Sequence, residues 1–242
     1  MIKNHREIFY SNYNSKFNSI VSPFDEKIIK SLYEHYDYKI YPLIKNYKPE
    51  SKILELGCGP GHLLGYLKSK NFDNIIGIDI SKEQVLIAKS KGLNVLEIDA
   101  IKFLSNSLEK YDIIFAFDFI EHFTKEELVL LTSLIYKNLN DNGLVIFRTP
   151  NGQGIFAGTI IYGDLTHQTI LTPNSIVQLL KQAGFDKINC FENGPIPKNL
   201  KGIMRKILWG FFKSFLNLFR LCEIGGTIKI LSQDFYAYSI KS

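Results

Sequence analysis

The sequence predicts an α/β fold, a doubly wound and mostly parallel sheet flanked by helices. Three observations predict it. From Lys52 onward, short β-branched runs alternate with amphipathic helical stretches, the pattern of repeated βαβ units. The first such run leads directly into a glycine-rich turn, Gly57-Cys58-Gly59-Pro60-Gly61. Acidic residues then close the next two runs, at Asp79 and Asp99, at the end of the sheet where doubly wound folds gather their ligands.

In order along the chain, residues 1–50 are rich in Tyr, Asn and Lys, with helical spacing at Ile28, Ile29, Leu32 and Tyr36, and read as an N-terminal helical cap before the 51–242 domain. Lys52 to Leu56 is the first strand, followed by a helix from about Gly61 to Lys70. Asn74 to Ile80 is the second strand. Ser81 caps a helix that Gly92 ends. Leu93 to Ile98 and Tyr111 to Phe117 are the third and fourth strands. Thr124, with Glu126 and Glu127 behind it, opens a capped helix. Asn142-Gly143 turns the chain into a fifth strand, Leu144 to Arg148. A loop to Leu171 precedes a helix with Thr172 as N-cap and Pro173 in its first turn, ending at Ala183-Gly184, and Phe185 to Phe191 is a sixth strand. Within a 195–226 insertion, Lys198 to Leu221 sets Ile203, Phe211 and Phe215 against Lys201, Arg205 and Lys213, an amphipathic pattern too charged to span a membrane. Phe235 to Ile240 is the last strand.

Composition narrows the class. Hydrophobic residues make up 45% and charged residues 22% of 242 residues, enough for one buried core and incompatible with a fibrous or disordered chain. The net charge of +5 is dispersed rather than blocked, so no nucleic-acid partner is expected. Three cysteines lack a Cys-x-x-Cys pair, and the N-terminus is charged; a reduced, cytoplasmic location is expected.

The glycine turn carries the chemistry. A dinucleotide fingerprint starting at Gly57 requires glycine at position 62, which is His62, so NAD and FAD lose ground. Glu55, two positions before the first glycine, would repel a pyrophosphate and suits a ligand with an ammonium group, such as S-adenosylmethionine. Asp79 is placed to accept both ribose hydroxyls of an adenosine ligand, and Asp99 the adenine amino hydrogens.

Glu-Leu-Gly-Cys-Gly-Pro-Gly, Gly-Ile-Asp-Ile-Ser, Ile-Asp-Ala and Tyr-Asp-Ile-Ile-Phe-Ala-Phe-Asp-Phe-Ile-Glu-His resemble the successive motifs of class I S-adenosylmethionine-dependent methyltransferases over about residues 50–191. The resemblance implies a Rossmann-like, seven-stranded sheet whose last strand is antiparallel. It also implies that Glu55, Gly57, Gly59 and Gly61 hold the methionine end, Asp79 and Ile80 the ribose and adenine, Asp99 and Ala100 the base, and that Phe117 and Asp118 flank the methyl donor.

The acceptor side is read from Thr149-Pro-Asn-Gly, Tyr162-Gly-Asp-Leu-Thr-His167 and Leu171-Thr-Pro. A hydroxyl acceptor keeps its proton at neutral pH, so His167 is the candidate general base, with Asp164 to orient it and Tyr162 and His122 as candidate substrate contacts. Asp118, Glu121, His122 and His167 resemble the metal-binding Glu-x-x-Glu-His and His set of some O-methyltransferases, with Asp118 replacing the first Glu. Ile-Glu-His also occurs in metal-free class I enzymes, and no metal is expected. Gly163 to Ser175 and Leu179 to Phe185 resemble methyltransferases of bacterial capsule and O-antigen synthesis. That likeness implies a small acceptor: a nucleotide-activated sugar, a glycan hydroxyl, or a phosphate or phosphoramidate group, positioned by Arg148, Lys198 or Arg205. A quinone-type O-methyltransferase and a non-catalytic cofactor-binding scaffold are the alternatives. The amphipathic segment reads as a core-covering or dimer helix, with an acceptor-pocket wall or a membrane-surface contact as its other uses; oligomeric state is left open.

Overall fold

The computed structural model describes residues 25–242, so the first half of the expected N-terminal cap lies outside the described residues. The elements follow in order as α1 (Glu26–Lys39), α2 (Tyr41–Ile44), β1 (Ile53–Leu56), α3 (His62–Ser69), β2 (Ile75–Asp79), α4 (Lys82–Ser90), β3 (Val95–Glu97), α5 (Ala100–Asn106) and β4 (Tyr111–Phe117). A single 3₁₀ turn at Ile120–His122 then leads to α6 (Lys125–Asn138), β5 (Leu139–Pro150), α7 (Ala157–Ile161), α8 (Pro173–Ala183), β6 (Ile188–Glu192), α9 (Leu200–Ile224) and β7 (Asp234–Ile240).

The seven strands order as β3-β2-β1-β4-β5-β7-β6. β1 to β5 pair in parallel, and β7 runs antiparallel to both neighbours. The order reverses between β1 and β4, so the C-terminal ends of these strands open a crevice at the switch point.

Period-two alternation separates the two faces of the sheet. Ile53, Ile113, Phe115 and Ile146 face α1, α2 and α3, where Tyr36, Ile40, Ile44 and Leu67 complete one core. Leu54, Leu56, Ile114 and Phe147 face the other way, against Leu104, Leu131 and Leu180 of α5, α6 and α8. Thr124 and Thr172 each close a capping box at the start of α6 and α8.

The structure departs from the sequence expectation at several points. Ser81 does not cap α4 with its side chain; its hydroxyl is buried and lacks a partner. α5 was not expected, because Asp99 read as the end of a strand, whereas its carboxylate accepts from Lys102 N at 2.9 Å and starts a helix. Asn142-Gly143 does not start β5 but forms an irregularity within it: Tyr111 pairs with Leu139 and Ile113 with Leu144. β3 is shorter than expected and β6 begins at Ile188, because Phe185 is spent on the stop of α8, donating to Leu180 O after Gly184 at φ 110. The amphipathic segment is one 25-residue helix that does not cover the core; among its residues only Gly202 is buried.

Candidate functional site

A cleft of about 360 Å³ opens at the C-terminal ends of β1, β2 and β4. Glu55, Gly57, Gly59, Asp79, Ile80, Asp99, Ala100, Phe117, Asp118 and His122 line it, so most of the residues named from sequence converge there. The strand-to-turn exit after β1 explains why. Gly57 takes φ +67, and a Cβ built there would lie 2.4 Å from the Phe119 ring, so only glycine admits this close approach. Asp79 then fixes the turn: its two carboxylate oxygens accept from Gly59 N at 2.9 Å and Ser81 N at 2.8 Å, and each keeps a further lone pair for a ligand hydroxyl.

Gly61 is the exception. It does not line the cleft; at φ +78 it starts α3, and a Cβ there would lie 2.3 Å from Leu93. Its role is the packing of α3 against the segment before β3. Among the polar residues that line the cleft, Ser81, Gln84 and Tyr36 were not named as site residues from sequence, and Arg148 was named only for the acceptor. Tyr36 was legible only as part of the helical spacing with Ile28, Ile29 and Leu32, and α1 delivers it to the cleft.

Three polar atoms in this cleft are buried without a partner: Glu55 Oε2, Ser81 Oγ and Gln84 Oε1. Buried polar groups are rarely left unsatisfied, and here all three face one hollow. Burial, reinforced by the nearby Asp79, pushes the Glu55 carboxyl well above the usual carboxylate range. An ammonium placed against it restores the carboxylate. The cleft therefore fits a polar ligand carrying a cation at the Glu55 end and hydroxyls at the Asp79 end.

At the opposite wall, Asp118 takes φ 48 at the end of β4, which turns its side chain onto Arg148 of the neighbouring strand. Arg148 Nε donates to Asp118 Oδ1 at 3.0 Å and Nη2 donates to Oδ2. The guanidinium also lies 5.2 Å from the Phe117 ring centroid, and this stacked, bidentate seat holds both side chains rigid at the cleft wall.

The turn after β4 gathers residues that the sequence reading assigned to the acceptor. Glu121 is buried, and its backbone carbonyl accepts from Gln168 N at 2.8 Å and Thr169 N at 3.1 Å. Those two bonds pull the 166–169 segment onto the 3₁₀ turn, so His122 and His167, 45 residues apart, bring their rings to 5.1 Å. His167 Nδ1 lies 3.1 Å from Ile160 O; a carbonyl only accepts, so Nδ1 is the donor in this contact. His122 Nδ1 lies 3.0 Å from Thr166 Oγ1, whose own proton goes to Asp164 Oδ1 at 2.6 Å. His122 Nδ1 is therefore the donor in that contact. Burial, with His167 beside it, lowers the His122 pKa. The Asp164 carboxylate, expected to orient His167, accepts from Thr166 N and Oγ1.

The Glu121, His122 and His167 ligand atoms lie within 4.8 Å of one another. Asp118, the fourth member of the resembled set, is engaged by Arg148. Glu121 accepts from Thr149 Oγ1 at 3.1 Å, and burial holds its carboxyl well above the usual range. Tyr162 stands 83% exposed after α7, away from the residues lining the cleft.

A second cavity of about 600 Å³ lies on the other side of α1, lined by His35, Phe156, Lys198, Lys201, Arg205 and Trp209 among others. His35 and Tyr36 are adjacent on α1, so one helix contributes to both cavities. Asn193 joins the walls: His35 Nε2 lies 2.6 Å from Asn193 Oδ1, and Asn193 Nδ2 donates to Asp234 Oδ2 at 3.1 Å.

Comparison with known proteins agrees with this geometry. The profile of a family described as a methyltransferase domain matches residues 21–189, more than half of the chain. A small RNA 2'-O-methyltransferase of Schizosaccharomyces pombe is 27% identical over 132 residues, 47% of this chain and 34% of that protein. A cyclopropane-fatty-acyl-phospholipid synthase of Escherichia coli is 26% identical over 104 residues, 42% of this chain and 27% of that protein. The chain thus spans about a third or less of the length of these curated relatives. Among solved structures, a SAM-dependent methyltransferase from Archaeoglobus fulgidus superposes with a TM-score of 0.68 at 22% identity, covering 96% of this chain and 100% of that one. Magnesium protoporphyrin IX methyltransferase from Synechocystis PCC 6803, solved with bound SAH, gives 0.59 at 16% identity, covering 98% of each chain.

Proposed function

The chain belongs to the methyltransferase-domain family, and we propose that this S-adenosylmethionine-dependent methyltransferase delivers its methyl group to an oxygen of a small, glycan-related acceptor. The observation that carries the choice of oxygen is the convergence of His122 and His167, their rings 5.1 Å apart and each Nδ1 hydrogen-bonded to an oxygen, beside the buried Glu121. A hydroxyl must lose a proton as it is methylated, and a neutral imidazole is suited to take it.

Glu55 would hold the ammonium of the donor, Asp79 the ribose hydroxyls and Asp99 the adenine amino group, through the oxygen that Lys102 N leaves open. Ile80 and Ala100 would pack the base, with Phe117 and the Asp118–Arg148 pair walling the donor end. When bound, the donor supplies a sulfonium-activated methyl group. The protein's own task is then alignment, exclusion of water and removal of the acceptor proton. We assign the removal of that proton to His167; the support is its ring 5.1 Å from that of His122, whose Nδ1 meets the Thr166 hydroxyl held by Asp164.

The second cavity supports a phosphorylated or nucleotide-linked acceptor. Lys198, Lys201 and Arg205 rim it and Trp209 forms part of its wall, a combination suited to phosphate and a stacked ring. Together with the likeness of the 163–185 motifs to capsule and O-antigen enzymes, this makes nucleotide sugars, glycan hydroxyls, phosphates and phosphoramidates the acceptors to assay first. Calorimetry of S-adenosylmethionine on wild type and Asp79→Ala, followed by a methyl-transfer screen over these acceptors, tests the reading. Donor binding that is lost in Asp79→Ala, with turnover on an oxygen acceptor, is expected. Methylation of an amine in preference to every oxygen acceptor would overturn it.

A second reading is favoured by the Glu121, His122 and His167 cluster. Two imidazoles and a carboxylate suit a borderline divalent cation such as Zn²⁺ or Mn²⁺, which would polarise the acceptor oxygen. Equilibrium dialysis of the purified chain with Mn²⁺ and with Zn²⁺, on wild type and Glu121→Gln, distinguishes the two readings. Stoichiometric binding that the substitution abolishes supports the metal, and no binding leaves imidazole base chemistry.

A further inference from the structure

Helix α9 stands apart from the core that it was expected to cover. One side is fastened to the body of the protein. Trp209 Nε1 donates to Glu192 Oε2 at 3.3 Å, Lys213 Nζ donates to the same oxygen at 2.8 Å, and Asn217 exchanges two hydrogen bonds with Ile228. The opposite side is apolar and bare. Met204, Ile207, Phe211, Phe215 and Leu218, spaced three or four apart, are each at least half exposed, a continuous stripe far beyond the scattered apolar residues of an ordinary surface.

Charge says what fits this stripe. From Lys198 to Arg220 the segment carries Lys198, Lys201, Arg205, Lys206, Lys213 and Arg220 and no acidic residue; Glu223 is the first. Lys201 and Arg205 are exposed beside the stripe and pair with no carboxylate among the described residues. A second copy docked through α9 would set two basic flanks against each other with no carboxylates to compensate them, which opposes a symmetric dimer. An anionic lipid surface accepts both features at once: acyl chains take the aromatic and aliphatic stripe, and headgroups take the lysines and arginine. No helix among the described residues is long and apolar enough to cross a membrane, and the fastened side of α9 forbids it from burying all round.

We propose that α9 is an in-plane docking helix that seats this protein on an anionic bilayer surface. The cavity rimmed by Lys201 and Arg205 then lies at the headgroup layer. The inference is independent of which acceptor the cleft serves.

Flotation of the full chain with phosphatidylglycerol–phosphatidylcholine vesicles and with pure phosphatidylcholine vesicles tests it. Wild type is expected to float at least tenfold more with the anionic vesicles, and less in high salt. Phe211→Glu with Phe215→Glu, both at exposed positions, is expected to lose flotation at least tenfold. Lys201→Glu with Arg205→Glu is expected to lose the preference for anionic lipid. Trp209 is the sole tryptophan, so unchanged emission from it shows that α9 remains seated in each variant. Absence of flotation by wild type overturns the proposal, whether sedimentation finds a monomer or a dimer that the phenylalanine substitutions dissociate. Flotation that survives both pairs of substitutions overturns it as well.

Discussion

Glu55→Gln exposes the electrostatic logic of the cleft. The wild-type carboxyl is buried with one oxygen unpartnered, and burial and Asp79 raise its pKa well above the ordinary value. A carboxyl whose folded pKa lies above its unfolded value, about 4.3, binds more protons folded than unfolded between those two values. Stability of the unliganded protein therefore falls as pH rises through that window, by about 1.4 kcal/mol for each pH unit. The amide does not titrate, so the variant should lack this slope and melt higher than wild type at pH 8 in the absence of ligand. Donor binding should move the other way. An ionised Glu55 against an ammonium is a charge-assisted hydrogen bond worth about 1.5–3 kcal/mol, so the amide should raise Kd by about ten- to a hundredfold. Wild-type Kd for S-adenosylhomocysteine should also tighten as pH rises through the raised pKa, because the cation needs the carboxylate. Thermal melts with and without S-adenosylhomocysteine at pH 5.5 and pH 8, with calorimetry, measure both effects. Equal affinity of variant and wild type at pH 8 would refute the assignment of Glu55 to a cationic group.

Other outcomes follow from neighbouring geometry. Gly61→Ala should destabilise the fold by about 1–3 kcal/mol with donor Kd nearly unchanged, since Leu93 and not the cleft meets its Cβ. Gly59→Ala meets no atom within 4 Å but sits at φ +51, so it should cost about 1–2 kcal/mol of stability and also weaken binding; calorimetry and melts on the pair separate the two roles. His167→Ala should lower kcat on a hydroxyl acceptor by about a hundred- to ten-thousandfold, with donor affinity preserved, and a normal rate would remove it as the base. Thr166→Val frees His122 Nδ1 from its hydroxyl partner and should lower kcat on a hydroxyl acceptor without changing donor Kd, read from kinetics beside calorimetry.

The sheet and most residues lining the cleft were legible because the signals are local. Glu55, Gly57, Gly59 and Asp79 sit at or just past a strand end and Asp99 caps the helix that follows β3, and the fold alone brings these positions together. Gly61 misled because a left-handed glycine in a motif looks the same whether a ligand or a leucine needs the space. Ser81 and Gln84 carried no separate signal, since a serine before a helix reads first as its cap. The meeting of His122 with His167 was only a resemblance in the sequence. It depends on Gln168 and Thr169 bonding the backbone of Glu121, and main-chain bonds between distant segments leave no mark on residue identity. The amphipathic period of α9 was plain, but period alone does not say whether an apolar stripe turns inward or outward; the answer lay in what Trp209, Lys213 and Asn217 grip.

β7 settles the order in which the molecule can be assembled. It is the strand on which β6 depends for pairing, and it also covers the open side of β5. During synthesis, Leu144 to Pro150 must therefore wait as an uncovered, hydrophobic edge until Asp234 to Ile240 has been made. Two strands and the two helices between them are in effect held in escrow by the last one, a non-local closure that slows folding and invites nascent chains to pair with one another.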